Sequence, residues 1–189
     1  MRRKQLTPKQ KRLLRDKVKQ EKQEAKKARL LSHPEFNKTA RSEYSSEREK
    51  TARYQKNPGS IMQLFMTWCE KDADLEGQWS WRQDRQWSDE EWKHDIEPYL
   101  LQMEKLTWAE IYAQRTGGKD RHKKHHDMDI GVICDEAFER WIEIELEEYD
   151  TAFRFRFGGK QRLWGYKILE KFKIVWWDPL HKIYPVEVS

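Results

Sequence analysis

Arg154, Arg156, Lys160, Arg162, His181 and Tyr184 crowd into residues 153–189, which read FRFRFGGKQRLWGYKILEKFKIVWWDPLHKIYPVEVS. Period-two alternation puts Arg154 and Arg156 on one face of a strand and Phe153, Phe155 and Phe157 on the other. Two guanidinium groups spaced this way reach neighbouring phosphates, because each offers a fork of donors to an oxyanion. Lys160 and Arg162 arrive just after a turn, while Trp164 and Trp177 offer flat faces on which a base could stack. Together these groups have the chemistry to hold and cut an RNA backbone. The same pattern also suits a half-buried sheet with arginines toward solvent and tryptophans in its core.

A second set lies upstream in RHKKHHDMD, residues 121–129. Imidazole is the side chain most easily tuned for proton transfer near neutral pH, so His126 joins the candidate acid–base groups. Lys123, Lys124 and His125 are candidate RNA contacts. Imidazole and carboxylate also bind divalent metals, but His125 and His126 are adjacent and no HExxH spacing occurs. Three readings stay open for this segment: a solvated basic loop, an RNA-contacting or catalytic loop, and a metal site. No metal or other cofactor is assigned.

The bulk composition separates an arm from a body. Residues 1–31 carry 13 Lys/Arg against 3 Asp/Glu, a net +10, which leaves −5 for the rest of a chain whose total is +5. Such an arm suits nucleic acid, an anionic membrane surface or an acidic partner. Nucleic acid is the best fit, with Arg12, Arg15 and Lys19 as candidate phosphate contacts. No apolar run approaches the roughly 18 residues of a membrane span, and no signal peptide is evident. The only cysteines, Cys69 and Cys134, form neither a CxxC motif nor a disulfide framework, so a cytoplasmic location without membrane contact is expected.

Four segments should position these residues. Thr7 and Gln10 make a capping box with Pro8 at the first helical position, predicting a long basic helix, solvated or ordered on a partner, within an arm at 1–31. Residues 32–59 read as a linker. Residues 60–106 read as a Trp-rich helical extension holding Trp68, Trp79, Trp81, Trp87 and Trp92. A short helix is expected after Ser60 and another over 88–105, and no strand is evident upstream of Ser88. Residues 107–189 read as an α+β domain with a helix from Thr107 to about Gly117 and another over 130–149. After Asp150 the period switches from 3.6 to 2, giving three strand-like runs with a two-residue turn at Gly158-Gly159 and a final edge strand over 182–188. The fold class is therefore α+β, a helical N-terminal region followed by a helix packed on a small antiparallel meander.

A strand, a Gly-turned hairpin, an apolar strand and a terminal H-x-x-Y resemble the C-terminal half of the RelE/ParE toxin superfamily. Arg154, Arg156, Lys160, Arg162, Gly165, His181 and Tyr184 carry the resemblance, which spans roughly residues 107–189. Many members of that superfamily are ribosome-dependent mRNA interferases. The resemblance implies an endoribonuclease in which the RNA 2′-OH attacks the adjacent phosphate without a metal. Arg154, Arg156 and Arg162 would stabilise the phosphate, Lys160 would position it, and His181 or His126 with Tyr184 would share the acid–base roles. The expected partners are RNA or the ribosome and a cognate antitoxin protein. The alternatives are a non-catalytic nucleic-acid- or ribosome-binding module, and a phage- or defence-associated interaction protein that docks through its Trp-rich segment.

Overall fold

Alternation along Thr151–Arg156 creates the two faces on which the rest of the chain packs. The computed structural model describes residues 5–32, 60–117 and 121–184, so most of the expected linker at 32–59 lies outside the described residues. The architecture is α+β. Five strands, β1 (Thr67–Cys69), β2 (His126–Asp129), β3 (Thr151–Arg156), β4 (Arg162–Ile168) and β5 (Lys171–Asp178), form one sheet in the order β1-β5-β4-β3-β2. The meander β2 to β5 is antiparallel, and β1 adds to β5 in parallel. One face carries Phe153, Phe155, Leu163 and Phe172 against α3 (Glu97–Met103) and α4 (Trp108–Ala113). The other carries Ala152, Trp164, Tyr166 and Trp176 against Phe138 and Trp141 of α5 (Asp135–Glu143).

A bulge in β5 decides which side chains reach which face. Trp164 pairs with Trp176 but Gly165 pairs with Ile174, so Val175 is the extra residue. Before it, Phe172 and Ile174 join the Phe face; after it the parity reverses, sending Trp177 to that face and Trp176 to the other. Gly165 permits the close approach: a Cβ there would sit 2.0 Å from the Lys173 carbonyl oxygen and 2.7 Å from the Phe172 ring.

Several sequence expectations change. The apolar run after Ser60 is a 3-10 turn (Ile61–Gln63) followed by β1 rather than a helix, because Met66 turns inward while Phe65 stays exposed and the Thr67 amide donates to Glu170. A strand therefore precedes Ser88. Residues 60–106 share the sheet and both cores with the rest of the body; Trp79, for example, meets Trp176 edge-on at 5.4 Å. The capping box at Ser88 opens α2 (Asp89–Glu91), which runs through a π-helical turn (Trp92–Ile96) into α3. The helix expected over 130–149 becomes a 3-10 turn (Ile130–Val132) and α5, which ends where Glu145 turns left-handed and Leu146 tucks back to bond the Trp141 carbonyl. The β3–β4 connection spans 157–161 rather than two residues, closed by bonds from the Phe157 amide to the Gln161 carbonyl and from the Gln161 amide to the Gly158 carbonyl. No strand forms at 182–184, and the rest of that expected edge lies outside the described residues.

The helix α1 (Pro8–Leu31) has the expected capping box, and what it orders on is the chain's own acidic surface. Lys11, Arg15, Lys19 and Lys22 recur at helical spacing and make one stripe. The Lys11 ammonium is buried and donates to the Ile133 carbonyl at 2.6 Å while pairing with Asp135 at 2.7 Å. Arg15 and Lys19 meet Asp150 at 3.1 and 3.2 Å, Lys22 meets Glu147 at 2.6 Å, and Arg12 meets Asp129. Leu13 and Leu14 stay exposed, so charge rather than apolar burial holds this helix.

Two outcomes follow from this packing. Gly165→Ala should destabilise the fold by about 3 kcal/mol, the upper end for overpacking, because the obstacle is backbone. A lowered urea midpoint at unchanged m-value measures it. Lys11→Met should speed amide exchange across α1 while β3–β5 keep their protection, and added salt should act in the same direction.

Candidate active site

Beyond the reach of α5, the Trp164 face of the sheet turns cationic. Register sets His126 beside Arg154 and Arg154 beside Trp164, with Arg156 beside Arg162 and Arg162 beside Asp178 one row on. The bulge is what points Asp178 to this side. Its buried carboxylate accepts the backbone amides of Lys182 at 2.8 Å and Ile183 at 3.0 Å. The chain after β5 thereby folds back over the sheet, and the buried Ile183 fixes it through a bond from the Cys134 amide to its carbonyl. His181, left-handed at φ 58°, and Tyr184 end up over the arginines, with the Tyr184 ring 5.9 Å from the Arg154 guanidinium.

The arginines are nearly enclosed: Arg154 is 8% exposed and Arg162 is 5% exposed. Among the described residues, neither they nor Arg156 has a carboxylate within ion-pair distance. Arg162 donates to the Gly159 and Gln161 carbonyls, and Arg154 donates to Nε2 of His126 at 3.3 Å. The Nε–H groups of both arginines are buried without a hydrogen-bond partner, as is Nδ1 of His126. Trp164 points its indole N–H toward Asp178 without closing a hydrogen bond.

The proton affinities record this crowding. Burial, followed by the charges of Arg154 and Arg156, pushes Arg162 down to about 10. Burial and Arg156 lower Arg154 likewise. Burial, then Arg162 and Arg154, brings His181 down to about 4, so its imidazole is neutral at pH 7. His126 is lowered by burial, Arg154 and Lys123. Because Arg154 occupies its Nε2 as a donor, the neutral ring carries its proton on the unpartnered Nδ1. Burial raises Asp178, whose partners are backbone amides rather than a full cation.

Other candidates fall elsewhere. Trp164 is wholly buried beneath Arg154, 5.7 Å from it, and Trp177 is buried on the opposite face with its indole N–H on Glu91, so neither offers a ring to a nucleobase. His125 is wholly buried: Nδ1 accepts the Arg156 amide at 3.0 Å, and Nε2 lies 3.2 Å from both Tyr99 and Gln114. That makes it a latch joining β2, β3, α3 and α4 rather than an RNA contact. Lys123 and Lys160 stand exposed outside the cluster. Lys124 lies 5.3 Å over the Tyr99 ring. Arg12, Arg15 and Lys19 are engaged with the body's carboxylates, which fill the role assigned to phosphates. Among the described residues no three His, Cys, Asp or Glu side chains converge to hold a metal ion. Asp178 and the Tyr99–Gln114 pair escaped sequence reading; the Asp-Pro dipeptide at 178–179 was the only local signal, and it reads as a plain turn.

A groove of about 860 Å³ lies apart from this cluster, lined by Gln78, Gln83, Asp84, Asp89 and Glu91 beside Trp87. Its carboxylates do not suit a phosphate. The chain matches no family model, and no curated protein or solved structure is significantly similar to it.

The imidazoles of buried His125 and half-buried His181 set a pH window. The unfolded chain protonates them near 6.5, whereas burial and neighbouring cations hold folded His125 at about 3 and His181 at about 4. In between, the unfolded state binds more protons, so stability is intact above about pH 6.5 and falls as the pH drops. Fully buried His125 sets the steepest part, about 1.4 kcal/mol per pH unit at most. Urea melts from pH 7 to 4 should show the decline, with a shallower slope in His125→Gln, which gains no proton there.

Proposed function

We propose that the chain is a RelE-like endoribonuclease that cleaves mRNA by metal-independent attack of the 2′-OH. The observation that carries this reading is the pair of buried arginines, Arg154 and Arg162, which among the described residues have unpartnered Nε–H groups and no carboxylate within ion-pair distance, Asp178 being nearby but held by backbone amides. An uncompensated buried cation is costly. A bound phosphodiester would supply the missing charge and the missing acceptors at once.

The chemistry follows from those positions. Neutral His181 takes the proton of the 2′-OH as its oxygen bonds to phosphorus. The bond from phosphorus to the 5′-oxygen breaks, leaving a 2′,3′-cyclic phosphate and a 5′-hydroxyl. Arg154, Arg156 and Arg162 stabilise the extra negative charge of the pentavalent phosphorane. The incoming anion draws Arg154 away from His126 and raises both imidazoles, so His126 can carry the proton that the 5′-oxygen needs. Tyr184, beside Arg154, orients the phosphate or shares this proton. In this reading the setting is the cytoplasm, with mRNA on the ribosome as substrate and an antitoxin as the neutralising partner.

The full chain, with and without ribosomes, should be incubated with an RNA strand and with a strand carrying 2′-deoxyribose at the cut site. Cleavage of the first alone, unaffected by EDTA and ending in a cyclic phosphate, is expected. His181→Gln and Tyr184→Phe should each slow it by about 100- to 10,000-fold. Binding without cleavage would identify a non-catalytic nucleic-acid module, and cutting of the 2′-deoxy strand would falsify the attack by the 2′-OH.

A further inference from the structure

A second cationic site adjoins the first. Arg115, Lys124 and Arg156 line a groove of about 340 Å³, together with Thr116, Gly117, Phe157 and Gly159. Among the described residues no carboxylate lines it. Burial and the charge of Arg156 lower the Lys124 ammonium, the mark of two cations held together without an anion between them.

Arg156 connects this groove to the active-site cluster. It lies at the end of β3 with its Cα opposite Arg162, and its charge acts on Arg154, Arg162 and His181 on one side and on Lys124 on the other. The two sites are therefore neighbours along one track, with Arg156 shared between them. Phosphates follow one another along a nucleic-acid strand, and cations arranged in series take them in series.

Building on the endoribonuclease reading, we propose that Arg115, Lys124 and Arg156 bind the phosphate next to the one that reacts, so the chain takes an oligonucleotide strand rather than a single nucleotide. No aromatic face is open in the groove, since Phe157 is buried and Lys124 covers Tyr99. The subsite thus reads the backbone and not the base. It also gives Lys124 a role distinct from that of His125, its buried neighbour.

The test uses the full chain with a dinucleotide, which has one internal phosphate, and a hexanucleotide, both with 2′-deoxyribose to prevent turnover. Fluorescence anisotropy across a salt series gives affinity and its salt slope. The wild type should bind the hexanucleotide more tightly and with a steeper slope. Lys124→Gln with Arg115→Gln should weaken hexanucleotide binding and flatten its log–log slope by about 0.7 for the one phosphate lost, leaving the dinucleotide unchanged. Arg115 also donates to the Tyr112 and Gln114 carbonyls, so Lys124→Gln alone is the second variant, expected to move the slope the same way. Equal wild-type affinity for both ligands, an unchanged slope in both variants, or an equal loss for the dinucleotide would overturn the proposal. Cleavage of the all-ribose strand is scored separately. Its absence with an intact slope difference removes the nuclease and keeps the subsite; its presence with no slope difference does the reverse.

Discussion

One close contact governs the arrangement of this molecule: the approach of the Lys173 carbonyl to Gly165, which leaves no room for a Cβ. It accommodates the bulge at Val175, and a bulge shifts the side-chain parity of everything beyond it. Trp177 therefore enters the core beneath α3, while Trp176 and Asp178 face α5 and the arginines. The bulged carbonyl itself accepts the Asp74 amide. Burial alone would raise the Asp74 carboxyl, but bonds from Arg140 and Trp176 and the charge of Arg85 outweigh it and hold that group low. The Trp-rich loop is pinned to the sheet in this way.

Two populations of cations coexist in the chain, and they differ in how their charge is met. In α1, Lys11, Arg12, Arg15, Lys19 and Lys22 meet Asp135, Asp129, Asp150 and Glu147 of the body, with Arg15 and Lys19 sharing Asp150. Those of β3 and β4 have Asp178 nearby, but its oxygens are already taken by two backbone amides. Solvent-exposed pairs are worth little each, whereas buried cations without a close counter-ion are in a costly state that a bound anion relieves. The functional reading rests on this contrast more than on the number of basic residues.

Acid–base capacity in the cluster depends on loop geometry. His181 belongs to no regular element, and its place over Arg154 and Arg162 comes from Asp178 folding the following residues back and from Ile183 entering the core. His125, in the bend before β2, and His126, its first residue, are adjacent in sequence yet differ in task, one a buried latch and the other a neighbour of Arg154.

The α+β class, the capping boxes at Thr7, Ser88 and Thr107, and the alternation in FRFRF were legible in the sequence because each depends on neighbours within a few residues. The gathering of Arg154, Arg156, Arg162, His181 and Tyr184 could be anticipated for the same reason, since short turns join the strands that bear them. The strand at Thr67–Cys69 was hidden because its partner, β5, lies about a hundred residues away. The early end of α5 was hidden because Glu145, and not a glycine, takes the left-handed conformation that turns the chain. Sequence alone likewise determined that α1 is a basic helix, but which acids it meets is a property of the folded surface. Only tertiary structure decided that Trp164 and Trp177 are core, that Asp178 is an anchor, and that among the described residues no carboxylate lies within ion-pair distance of the arginines. Burial and charge balance are sums over residues distant in the chain, and no local pattern contains them.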